Sequence, residues 1–268
     1  AGAIAILLTA RGTQDQIPHL HSASSKHELS SLGNYADLLR ELLRNRSFMS
    51  FFLLSVMFFV ILGTQRALAL HINTYFWALD GKQIQMMFYA LFGATILSIP
   101  MARYVIEWLD KKNTIYLLLP LTLAAYIVPV TLRLLGLLPE NGDPALFPIL
   151  IASQFIAGAA VGPLVVVTGA MVADIADDHE RRTYRRQEGL LFGFFNFASK
   201  ATSGMGQFVA GMTLSLIAFP TDKTVFAGQV PADTLLHLGL VYGPGLALFG
   251  LLCIYPLRFY EITRSVHE

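Results

Sequence analysis

Residues 48–77 read FMSFFLLSVMFFVILGTQRALALHINTYFW, and no Lys, Arg, Asp or Glu occurs between Arg46 and Arg66. A helix that crosses the hydrocarbon core of a bilayer needs about 20 mostly apolar residues, and this stretch meets the requirement. Five further stretches resemble it, near 84–108, 114–138, 144–173, 188–219 and 234–255, so the sequence predicts six spans. Composition agrees. Of 268 residues 54% are apolar and 14% charged, whereas a water-soluble domain carries about 25% charge. A single cysteine, Cys253, excludes an internal disulfide and a Cys-based zinc site. The expected class is an all-α membrane protein whose six transmembrane helices form one bundle.

Basic residues orient the spans, because cytoplasmic loops hold the excess of Lys and Arg. Arg11, Lys26, Arg40, Arg44 and Arg46 precede the first full span; Lys111 and Lys112 lie in the second connection, Arg181, Arg182, Arg185 and Arg186 in the fourth, and Arg258 and Arg264 in the tail. Only Lys82 and Lys223 fall in loops on the other side. Thirteen against two predicts that both ends face the cytoplasm. Residues 1–8 are wholly apolar but too short to span, with no basic region ahead of them as a signal peptide requires. They read as the tail of a preceding transmembrane helix. Residues 9–47 read as a cytoplasmic connector, in which Leu38, Leu39, Leu42 and Leu43 repeat at helical spacing in a short amphipathic surface helix. Residues 48–258 make up the bundle and 259–268 a cytoplasmic tail.

Four basic residues, Arg66, Arg103, Arg133 and Lys200, fall within the spans, where charge is costly. Lys200 is the deepest. It stands twelve residues after Glu188, about 18 Å along its helix at 1.5 Å per residue. Asn196, Ser199, Ser203 and Gln207 share its helical stripe, which gives this span a wet side. The stripe reads as a cavity lining whose amine binds an anionic group, pairs with a carboxylate or responds to a cation; a static buried ion pair is the bland alternative. In the first span, a helix loosened at Gly63 would turn Gln65 and Arg66 toward the same cavity; a snorkelling Arg66 is the alternative. Arg103 and Arg133 lie nearer span ends, where snorkelling explains them. Gly158, Gly162, Pro163 and Gly169 read either as a gating break in the fourth span or as packing positions.

The cytoplasmic stretch 174–188, DIADDHERRTYRRQE, sets acids before bases. One histidine there is too few for zinc, and nucleic-acid binding needs a larger basic surface with interleaved aromatics. GMG at 204–206 follows no strand, which excludes a dinucleotide fingerprint. No Ser/His/Asp, paired-Asp or His/Glu metal constellation lies at membrane depth, so an enzyme is not expected. An ion-pair latch or a merely solvated loop remains.

Ala173-Asp174, Asp177, Glu180, Arg186, Glu188-Gly189 and, twelve residues after Glu188, Lys200 resemble the loop and following helix of the glycoside–pentoside–hexuronide:cation symporters, the melibiose-permease-like branch of the major facilitator superfamily. The six spans resemble spans seven to twelve of its twelve-span fold, and Asp110-Lys111-Lys112 resembles a degenerate form of a charged loop found at that place. The resemblance implies the C-terminal half of a secondary transporter that moves a sugar or related small solute with Na⁺ or H⁺ by alternating access, in a bacterial inner membrane. It further implies a coupling and substrate cavity at Lys200, Asn196, Ser203, Gln207, Gln65 and Arg66, and a cytoplasmic gate at Asp174, Asp177, Arg186 and Glu188. No cofactor or metal site is implied. The coupling cation would sit mainly on an N-terminal six-helix half, from the same gene or a separate chain; the other partners are the bilayer and the solute, not nucleic acid. Alternatives are a lysolipid or other-solute carrier of the same fold, or a self-sufficient six-span channel, scramblase or scaffold. None of these spans offers a mid-depth carboxylate for Lys200, which favours the half-transporter reading.

Overall fold

Apolar stretches separated by short turns fold as helices because only a helix satisfies every backbone polar group without water. The computed structural model describes residues 11–14, 40, 43–183, 188–220 and 228–259, and among these it contains helices and no strand. The chain divides into two units, Ala1–Leu42 and Leu43–Glu268. The expected span tail at 1–8 and most of the expected surface helix at 35–43 lie outside the described residues, as does the tail beyond 259.

In the second unit α1 spans Arg46–His71, α2 Gly81–Ser98, α3 Ala102–Leu109, α4 Lys111–Leu134, α5 Leu146–Thr183 and α6 Glu188–Leu216, followed by α7 at Ala232–Leu240 and α8 at Leu246–Ile254. A π turn, Ile72–Phe76, extends α1, and another, Val241–Gly245, joins α7 to α8. Among the described residues four stretches are long and apolar enough to cross a membrane: Phe48–Phe76, Lys111–Leu134, Leu146–Arg181 and Ala232–Phe259. The pair α2 and α3 makes a fifth if it counts as one span. Helix α6 has 29 residues, about 43 Å at 1.5 Å each, but the polar stripe around Lys200 keeps it out of that apolar set.

Three expectations change. The second stretch, read as one span over 84–108, is two helices bent by 63°. Pro100 sits at the corner with no N–H to continue the ladder, and its ring crowds the preceding turn. The fourth span runs unbroken through Gly158, Gly162, Pro163 and Gly169 and continues past Asp174 to Thr183, so most of the expected cytoplasmic loop is helix. Gly158 and Gly162 are contact points, whereas a Cβ at Gly169 would meet nothing within 4 Å. A Cβ at Gly158 would meet the Leu91 carbonyl and Ala94 Cβ, and one at Gly162 the Ser98 hydroxyl and the Thr95 carbonyl, so α2 and α5 meet backbone to backbone. Nor is α1 loosened at Gly63; its irregular turn begins nine residues later, where Trp77 N donates to Ile72 O at 2.9 Å.

Helix α1 packs along α6, while α2 and α4 pack along α5. The α1–α6 contact is equally close: a Cβ at Gly63 would stand 2.6 Å from Ser203 O, and one at Gly206 would meet Val60 O and Thr64 N. Thr64 Oγ1 spans this seam, donating to Gly206 O at 3.0 Å. At the start of α1, Phe48 and Phe52 pack on Phe194, and Phe51 on Phe195. The main apolar core gathers Leu68, Ile72, Trp77, Leu150, Leu238 and Cys253.

Candidate functional site

The α1–α6 seam fixes which face of α6 stays uncovered. Leu191, Ala198, Thr202, Gly206 and Ala210 are buried. Around the opposite side Gly193, Asn196, Lys200, Gly204, Gln207 and Gly211 form one exposed stripe at helical spacing, flanked by exposed Phe197, Phe208 and Met212. Ser203 lies half-buried at the edge of the stripe, with its carbonyl against Gly63. Lys200 is exposed near the middle of the helix and forms no ion pair or hydrogen bond to a described residue. Asn196 Nδ2 donates back to Phe192 O at 2.8 Å, which occupies one of its amide protons within α6.

The two candidates on α1 are placed differently from each other. Gln65 is buried and its Nε2 donates to Tyr242 Oη at 2.9 Å, tying α1 to the turn between α7 and α8. It lines a narrow, largely apolar pocket with Phe58, Leu62, Thr122, Tyr126 and Leu246. Arg66, the next residue, is exposed and lies within electrostatic range of the Tyr126 hydroxyl. Tyr242 is buried and Tyr126 half-buried, and periodicity does not distinguish either from an ordinary aromatic core residue. At the end of α1, His71 packs edge-on against Phe219 with ring centres 5.1 Å apart, and Tyr75 packs on the same ring. Arg133 donates to the carbonyls of Pro139 at 2.7 Å and Leu138 at 3.4 Å, closing the C-terminal end of α4.

Of the residues expected to form a cytoplasmic gate, Asp174 is tied to another helix. Asp174, half-buried on α5, accepts from Lys111 Nζ at 2.7 Å through both carboxylate oxygens. Lys111 opens α4 just after Asp110, whose φ of 66° is rare for a residue with a Cβ. Asp110 O accepts from Thr114 N at 2.9 Å and Thr114 Oγ1 at 2.7 Å, holding this corner in place. Asp177 is exposed. Asp178 accepts from Asn45 Nδ2 at 3.2 Å, which links α5 to the residue before α1. Arg186 lies outside the described residues, and Glu188 is described only as the first residue of α6. The Asp110-Lys111-Lys112 triplet was visible in the sequence; that its first lysine reaches an acid 63 residues away was not. Among the described residues no group of three or more His, Cys, Asp or Glu is placed to hold a metal ion.

Comparison with known proteins gives the chain a context. A profile described as MFS/sugar transport protein matches residues 2–264. An uncharacterized symporter of Bacillus subtilis (strain 168), YjmB, is 24% identical over 201 residues, which are 72% of this chain and 41% of that protein. An uncharacterized symporter of Synechocystis sp., sll1374, is 26% identical over 133 residues, which are 47% of this chain and 23% of that protein. The aligned part of the chain therefore spans less than half the length of either relative.

Proposed function

The chain belongs to the MFS/sugar transport protein family, and on that premise we propose that it is the C-terminal bundle of a cation-coupled secondary transporter of the melibiose-permease-like branch. It is an integral multi-pass membrane protein, and its family carries solutes rather than transforming them. The proposed cargo is a sugar or related small solute, moved with Na⁺ or H⁺ through a cytoplasmic membrane with both chain ends inside. The observation that carries this reading is the uncovered polar stripe on α6, with Lys200 at its centre and no counter-charge among the described residues. A lysine at the bilayer centre costs about 2.5–3.5 kcal/mol on insertion scales, so such a stripe belongs against water or protein rather than acyl chains.

The mechanism follows from that placement. An N-terminal six-helix half, from the same gene or a separate chain, covers the α6 stripe and supplies a carboxylate for Lys200. Solute lodges between the halves, beside Asn196, Ser203 and Gln207, with Arg66 at the rim. The Lys200 ion pair stabilises one orientation of the halves. A cation at the carboxylate displaces the amine and shifts the population to the other, which is the only way a bound ion moves such an equilibrium. Asp174 and Asp177 belong to the inner closure with Arg186 and Glu188, and Lys111 holds Asp174 in place for it.

The test is Lys200→Ala in the complete two-half transporter reconstituted in vesicles. Solute uptake should lose its dependence on a Na⁺ or H⁺ gradient, while exchange of internal for external solute persists. Cation-driven uptake at the parent rate would overturn the reading.

A further inference from the structure

Helix α3 holds none of the residues of the proposed transport path. Its eight residues, ARYVIEWL, follow α2 after a corner at Pro100 and lie 63° from its axis. The 18 residues of α2 rise about 27 Å, close to the whole hydrocarbon thickness of about 30 Å. Helix α2 is apolar enough for a span only together with α3, so α3 starts close to the far edge of the hydrocarbon. Over its length α3 advances only about 5 Å further along the α2 direction.

Three edges of α3 differ in chemistry. Ala102 is buried, and Val105, Ile106 and Leu109 are partly covered, on the edge that packs against α5 and α4. Arg103 and Glu107 form a second edge, an exposed i,i+4 pair at 2.7 Å. Tyr104 and Trp108 form a third, 71% and 82% exposed although they are the bulkiest side chains on the helix. An aromatic edge beside a charged edge, one hydrocarbon thickness from the outer end of α2, is the pattern of a helix lying in the membrane–water boundary.

We propose that α3 is an interfacial helix whose Tyr104 and Trp108 bind the headgroup–acyl boundary of the phospholipid leaflet, with Arg103 and Glu107 facing water. The occupant is lipid: the two rings present apolar bodies with polar tips, and α3 offers no continuous apolar face for a partner helix. Because α3 runs through Asp110 directly into Lys111, the lipid anchor also steadies the lysine that holds Asp174. The proposal does not depend on the transport reading, since it needs only that the bundle is membrane-embedded.

Single cysteines replacing Arg103, Tyr104, Glu107 and Trp108, with buried Cys253 left in place, would be spin-labelled on the full chain in vesicles of phosphatidylcholine and phosphatidylglycerol. Labels at 104 and 108 should be relaxed mainly by oxygen, which concentrates in lipid, and labels at 103 and 107 mainly by a water-soluble nickel complex. The depths at 104 and 108 should differ by less than about 3 Å, against about 6 Å for a helix continuing along the membrane normal. In Trp77→Phe, which leaves Trp108 as the one tryptophan, bromine near the glycerol end of the acyl chain should quench at least about twofold more than bromine at the methyl end. Steadily changing depth, water access at all four sites, or protection of 104 and 108 from both reagents by a protein partner would each overturn the proposal.

Discussion

Lys111 and Asp174 illustrate how little of a charged residue's role is visible in its neighbours along the chain. The pair is two-pronged and half-screened, so its worth is modest, on the order of 0.5–1 kcal/mol for a partly exposed ion pair. A double-mutant cycle of Lys111→Ala and Asp174→Ala, read from unfolding in detergent, should return a coupling of that size. A zero coupling would show the pair to be incidental. The exchange Lys111→Asp with Asp174→Lys should recover part of the loss. Thr64 makes a sharper case, because its single hydroxyl hydrogen is shared between Val60 O within α1 and Gly206 O across the seam. Thr64→Val keeps the shape and removes the bond, for a loss of about 0.6 kcal/mol, the average for interhelical hydrogen bonds in membranes. A loss several times larger would mean that the hydroxyl serves more than the seam.

Helices here meet where side chains vanish. Gly206 and Gly193 sit on the same helix and look alike in sequence, yet a Cβ on Gly206 would strike the α1 backbone while one on Gly193 meets nothing within 4 Å. Gly206→Ala should therefore destabilise the bundle by about 1–3 kcal/mol, the usual penalty for overpacking, and Gly193→Ala should be neutral. Equal melting points for the two variants would contradict the packing of α1 on α6. The same contrast explains why α5 is not a broken helix: Gly158 and Gly162 are spent on contact with α2, and Pro163 is carried within an otherwise continuous ladder.

For the whole molecule, the exposed stripe on α6 and the short coverage of the relatives lead to the same experiment. Gln207→Cys in the chain by itself should react with a membrane-impermeant maleimide or lie open to lipid. If a second half covers the stripe as proposed, solute should lower that reactivity by about tenfold in the two-half protein, following the population shift that binding imposes. Reactivity unchanged by the second half and by solute would remove the stripe from the transport path.

Membrane class and the presence of a helix at each expected span were legible in the sequence, because both depend on local composition and a helical period of 3.6, whereas the bend that splits the second span and the ten residues by which α5 outruns its expected end at 173 were not. Lys200, Asn196, Ser203 and Gln207 could be placed on one stripe by that same period. The sequence could not say whether Gly63 loosens α1 or seats it, whether Gln65 opens to a cavity or binds Tyr242, or which lysine Asp174 holds. Those outcomes depend on residues far apart in the chain that meet only after the helices pack. A glycine, an amide or a carboxylate has the same local signature whether its neighbour is solvent, another backbone or an opposite charge. Only tertiary packing selects among them, because the energy lies in the contact and not in either residue alone.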